Sequence, residues 1–207
     1  MKPSILAAVL SLLLVPAHSF AEGAPEPPAP VAIYMSFDGA HSAQAIEAMK
    51  SEVASLTKRS PLNLRWIPLD SPRVGESFSD LMVVKFHGNC NMEGIQFLFN
   101  ELGLEGDGGA LGSTWKTDNQ ILPFSELQCD RIRRSIAPLA IGNTPTEREA
   151  LLGRAMGRVL AHELFHVFAN TDKHGREGVA KTKYTRRDLL ADRFEFDAKD
   201  VRRMDRR

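Results

Sequence analysis

Apolar positions along this chain follow two rhythms, one suited to strands and one to helices. Residues 30–38 (PVAIYMSFD) are rich in β-branched and aromatic side chains and lie between Pro30 and Asp38-Gly39, which predicts a strand. Across 40–59 the apolar residues Ala45, Ile46, Met49, Val53 and Leu56 recur at helical spacing. Residues 62–70 (LNLRWIPLD) alternate and predict a second strand, with Pro68 restricting its end. Residues 80–88 (DLMVVKFHG) hold a continuous apolar run suited to the interior of a sheet. A glycine-rich stretch then leads into an edge strand at 111–116, and Thr117–Gln120 turns the chain into a strand over 121–127. A short helix over 131–139 is expected to end at Pro138. No segment repeats another.

The strongest pattern starts at Thr144. Thr144 suits an N-cap, Pro145 the first helical position, and Glu147 the third, so TPTE reads as a capping box. The helix it opens should run from Pro145 to about Asn170. Leu152, Met156, Val159, Leu160, Leu164, Val167 and Phe168 give it a broad apolar surface. Gly153, Gly157 and Ala161 recur every four residues. Two interior glycines cost about 1 kcal/mol each against alanine. Close packing of this ridge against the sheet is the expected compensation. Beyond Asn170 the periodicity stops, and TDKHGREG (171–178) reads as a loop.

Composition adds limits. The chain has 207 residues, of which 43% are hydrophobic, enough for one domain with its own core. The formal net charge is +0, which points to neither nucleic acid nor a membrane surface as partner. Between Lys173 and Arg207 there are 12 Lys/Arg against 7 Asp/Glu, read here as a solvated basic tail. Residues 1–21 have the pattern of a signal peptide: Lys2, an apolar run at 5–15 too short to span a bilayer, and small residues for cleavage after Ser19 or Ala21. Residues 22–30 (EGAPEPPAP) form a Pro-rich spacer, and 31–207 the folded domain. Export to the periplasm or the medium suits the two cysteines. Cys90 and Cys129 would form the one possible intrachain disulfide, closing a loop of about 40 residues, worth about 3–4 kcal/mol in the chain-entropy model. No transmembrane segment is expected in the mature chain, and a monomer is the expected state.

The chemistry lies in AHELFHVFANTDKHG, residues 161–175. On a helix, positions i and i+4 share a face, so His162 and His166 can present two imidazoles to one ion. Arg154 and Arg158 precede them on the same side, which suggests a face open to water or a cleft. Glu163 is rotated about 100° away, beside apolar residues, where an ionised carboxylate needs a partner. In an H-E-x-x-H arrangement that partner is a zinc-bound water, for which the glutamate is the general base.

On these residues the chain resembles the zincin metallopeptidases. The match covers about thirty residues around HELFH, with a looser agreement in the order of strands and helices. Within zincins it looks most similar to the metzincin pattern H-E-x-x-H-x-x-G-x-x-H, from which it departs twice. Ala169 stands in place of the turning glycine, and Asp172 in place of the third ligand, with His174 two residues further on. His174 is the preferred third ligand and Asp172 the alternative; Asn170 can take the left-handed conformation that ends a helix and so delay the turn. Glu177 and Glu195 are weaker, gluzincin-like choices.

The resemblance implies an α+β fold with a twisted mixed sheet, a backing helix and the long helix 145–170. Residues 31–171 would form an upper subdomain and 172–207 a small C-terminal part. It also implies an edge strand that adds an extended peptide to the sheet. Tyr184 is a candidate for stabilising the oxyanion, a role zincins often give to Tyr or His. Met204 is a candidate for the methionine turn beneath the metal. His41 and His87 are expected to be structural or solvated. The chain is also similar to exported bacterial proteins of unassigned activity that share this strand, cysteine and HExxH arrangement.

Two functions follow as expectations. One is an exported Zn2+-dependent metalloendopeptidase acting on a peptide or protein substrate, with His162, His166 and His174 as ligands and Glu163 as base. The other is a non-catalytic zincin-like protein that binds a partner in the cell envelope.

Overall fold

A computed structural model of the chain describes residues 29–71, 75–95 and 109–204. The expected signal peptide, most of the spacer and part of the glycine-rich stretch lie outside the described residues. The elements in chain order are β1 (Val31–Phe37), α1 (Ala43–Thr57), β2 (Leu64–Pro68), β3 (Asp80–His87), β4 (Gly112–Thr117) and β5 (Gln120–Gln128). Four further helices follow: α2 (Cys129–Ala140), α3 (Pro145–Phe168), α4 (Arg186–Leu190) and α5 (Ala198–Met204). The protein is therefore α+β. No helix among the described residues is long and apolar enough to cross a membrane.

The five strands form one mixed sheet in the order β2-β1-β3-β5-β4. Every pair is parallel except β4 with β5, where the chain reverses through Asp118 and Asn119, both at positive φ. β3 takes the central place its apolar run suggests. Alternate residues of the strands enter the core: Ile33 and Met35 from β1, Met82, Val84 and Phe86 from β3, Leu127 from β5. Their neighbours Leu81 and Phe124 are exposed on the other face. β4 is an edge strand that follows the expected 111–116 with a shift of one residue.

The core packs against α1 and α3. The Thr144–Glu147 capping box forms as the sequence indicates. The glycine ridge, however, meets a helix and not the sheet. A Cβ at Gly153 would lie 2.4 Å from the Ala45 carbonyl oxygen and from Ala48 Cβ, and one at Gly157 would lie 2.7 Å from Glu52 Cβ. The glycines thus let α3 lie directly on α1.

α2 also differs from expectation. Pro138 sits inside the helix, which continues to Ala140. Burial of Ile136, Ala137 and Ala140 holds this last turn, and Asn143 Nδ2 donates to the Leu139 carbonyl at 3.2 Å. At its other end α2 has no side-chain cap on Gln128. Its first residue is instead tied by the Cys90–Cys129 disulfide, with a Cα–Cα distance of 5.0 Å.

The C-terminal part is anchored by Arg158. Expected on an open face, its side chain is only 2% exposed. Arg158 Nε donates to Glu52 at 2.8 Å, and its two terminal nitrogens donate to the carbonyls of Asp188 and Ala191. One buried guanidinium therefore joins α3, α1 and the segment around α4. Arg154, less buried, donates to the Leu190 carbonyl at 3.3 Å.

Candidate metal centre

α3 ends at Phe168, two residues short of the expected limit, and the way it ends builds the site. Ala169 is the C-cap and Asn170 adopts φ 45°, the left-handed conformation the sequence allowed for. Thr171 N donates to the His166 carbonyl at 3.0 Å and Asn170 N to the Val167 carbonyl at 3.2 Å, a Schellman pair. The reversal carries the chain back over the helix face that bears His162 and His166.

That return brings His174 to the pair. The candidate ligand atoms of His162, His166 and His174 all lie within 4.8 Å of one another, so this cluster could hold a metal ion. The His174 ring lies 5.1 Å from that of His162 and 4.8 Å from that of His166, centroid to centroid. His166 is buried, His162 partly so, and His174 exposed. Asp172 lines the same cavity but is not part of the cluster: it is exposed and pairs with Lys116 of β4 at 2.5 Å.

The two helical histidines are oriented by backbone carbonyls. His162 Nδ1 donates to Val179 O at 2.8 Å and His166 Nδ1 to Thr171 O at 2.6 Å. Burial lowers the pKa of His162 to about 4, and burial likewise lowers that of His166. Both rings are therefore neutral near pH 7, and each Nε2 carries a lone pair. These two Nε2 atoms face each other at 2.9 Å with no proton between them to share. Two opposed lone pairs in a buried place suit a shared cation, and three imidazole nitrogens are a donor set that zinc accepts. The residues present fit such an ion.

Glu163 sits on the adjoining face of α3 and is 4% exposed. Burial raises its pKa from 4.5 to about 7, opposed by a hydrogen bond from Thr114 Oγ1 at 2.6 Å. Gly112 makes this approach possible, since a Cβ there would lie 2.7 Å from Glu163 Oε1 and from Val159 Cγ1. The histidines and Glu163 line one cavity of about 710 Å³, which also reaches Thr114, Lys116 and Tyr184. Tyr184 is half-buried, and its hydroxyl donates to Val179 O, the acceptor that His162 also uses. Burial holds the Tyr184 pKa well above 10, so the hydroxyl keeps its proton.

The remaining candidates are placed elsewhere. His87 Nδ1 meets Asp38 at 2.7 Å and His41 stacks on Phe37, and neither histidine lines the cavity. Glu195 pairs with Arg59 at 3.4 Å, Glu177 is exposed, and Met204 is buried in α5. Sequence reasoning missed Thr114, Thr171, Val179 and Arg203. The last donates to Thr171 Oγ1 at 2.7 Å, bracing the residue that orients His166. Two of these four act on the histidines through main-chain carbonyls, which leave no mark on residue type.

Among known proteins, no family model matches this chain and no curated sequence matches it.

Proposed function

We propose that the protein is an exported zinc-dependent metallopeptidase of zincin-like, metzincin-related architecture, hydrolysing peptide bonds of a peptide or protein substrate. The observation that carries the reading is the convergence of His162, His166 and His174 beside Glu163 on the wall of one cavity. The element order, with an antiparallel edge strand next to the histidine helix, supports it, as does the disulfide in a chain with a signal-like leader.

His162, His166 and His174 would hold the ion; bound there, zinc polarises a carbonyl and makes a water nucleophilic near neutral pH. The chain's own groups do the rest. Glu163, on the cavity wall beside the histidines, accepts a proton from the attacking water and passes it to the departing amine. Thr114 keeps one oxygen of Glu163 oriented, leaving the other for the cavity. Among the described residues β4 is the edge of the sheet, where an extended peptide can add as a further strand. From the C-terminal part, Asp172, His174, Thr182, Lys183 and Tyr184 complete the cavity lining.

The decisive variant is Glu163→Gln, which keeps an acceptor for Thr114 and cannot act as a base. It should bind as much zinc as the wild type by elemental analysis and lose roughly 10²–10⁴-fold in peptide hydrolysis. Full activity in this variant would sink the mechanism. A peptide bound but left intact by both proteins would point to the non-catalytic binding protein.

A further inference from the structure

We infer that Tyr184 is a positioning residue for His162: its hydroxyl fixes the Val179 carbonyl, and that carbonyl sets where His162 Nε2 points. The inference rests on the metal-binding part of the proposed function and assigns Tyr184 a role away from the substrate.

A carbonyl oxygen has two lone pairs, and Val179 O uses both. One accepts His162 Nδ1 at 2.8 Å and the other the Tyr184 hydroxyl. Val179 is fully buried, and its own N donates to the Glu195 carbonyl at 3.1 Å. The next carbonyl, of Ala180, accepts Gly175 N at 2.7 Å, one residue past His174. The strip that orients His162 is thus also tied to the loop that carries the third histidine. Tyr184 reaches back to the helix as well: its hydroxyl lies 3.4 Å from the carbonyl oxygen of Arg158, four residues before His162. It spans helix and loop at the place where their separation determines the His162 hydrogen bond. Its ring packs edge-on against His162 at 5.7 Å and against Phe194 at 5.1 Å, so the hydroxyl has little freedom to swing into the cavity.

Tyr184→Phe removes the hydroxyl and keeps both ring contacts. Zinc affinity of the full chain, read by competition with a chromogenic chelator, should fall roughly tenfold. Nitrogen NMR of the metal-free variant should show the Nδ1 proton of His162 less firmly held, with part of the ring carrying its proton on Nε2. Unchanged zinc affinity in the variant would overturn the inference while leaving the metal site standing. A wild type that takes up no zinc would remove both the metal reading and the inference. A second measurement needs no variant: nitrogen NMR of the metal-free wild type should find His162 protonated on Nδ1. A proton on Nε2 instead would overturn the inference.

Discussion

Two histidines of the site stand on α3 and the third on the loop behind it, and the two sides are held in different ways. On the helix side, position comes from regular geometry. The capping box starts α3, the glycine ridge seats it on α1, and the i, i+4 spacing does the rest. On the loop side there is little regular structure between Phe168 and Arg186, and position comes from single polar contacts. Arg203 holds Thr171, Arg158 holds Asp188 and Ala191, and Tyr184 holds Val179. A helix spreads its stability over many equivalent bonds, whereas a loop anchored by a few buried groups concentrates it in them. The loop side should therefore be the more fragile half.

Removal of ligands gives the largest effect. His162→Ala and His166→Ala should abolish zinc retention in elemental analysis, His174→Ala should leave it substoichiometric, and Asp172→Ala should match the wild type. If Asp172→Ala lost zinc and His174→Ala kept it, the loop would supply a carboxylate as third ligand. Next comes the anchor. Arg158→Met leaves Glu52 without its partner and two carbonyls without donors, and should cost about 3–5 kcal/mol in urea unfolding. A cost below about 1 kcal/mol, the range of an exposed ion pair, would show that the loop side does not depend on it.

The pH dependence of the metal-free protein is the finest test. Glu163 has its pKa raised from 4.5 to about 7, so the folded state binds this proton more tightly than the unfolded chain. Its ionisation costs stability in full above pH 7, and the cost disappears as pH falls toward 4.5. His162 acts in the opposite sense. Its pKa falls from 6.5 to about 4, so its contribution is complete above pH 6.5 and is lost as pH falls toward 4. The metal-free Glu163→Gln protein isolates the first effect. It should exceed the wild type by about 3 kcal/mol near pH 8, with the difference closing by about pH 4.5. A difference that stays constant with pH would refute the assignment.

The same division explains what could be read from the sequence. The strands and α3 carry their signals locally, in alternation, apolar runs and the TPTE box, so they were legible to within a residue or two. The helical half of the site was legible for the same reason. Pro138 misled because burial of Ile136 and Ala140 outweighs a local breaker. The glycine ridge announced close packing but not its partner, since a small side chain suits any near surface. Arg158 is the clearest miss: an arginine one turn before a ligand reads as solvent-facing, and the carbonyls that bury it come from residues 30 and 33 positions later. α4 did have a local signal, since Thr185 and Asp188 form a capping box, but five residues are too few to show periodicity.

The cysteine pair has a consequence for how the protein should be produced. The bond joins residues 39 apart and secures the end of α2 that lacks a cap, a constraint worth about 3–4 kcal/mol against the unfolded chain in the entropic account. Chain made in a reducing cytosol would reach the bench without that tie, even with its histidines intact and able to take up metal. Secretion into an oxidising compartment, or refolding with a thiol–disulfide couple, supplies it.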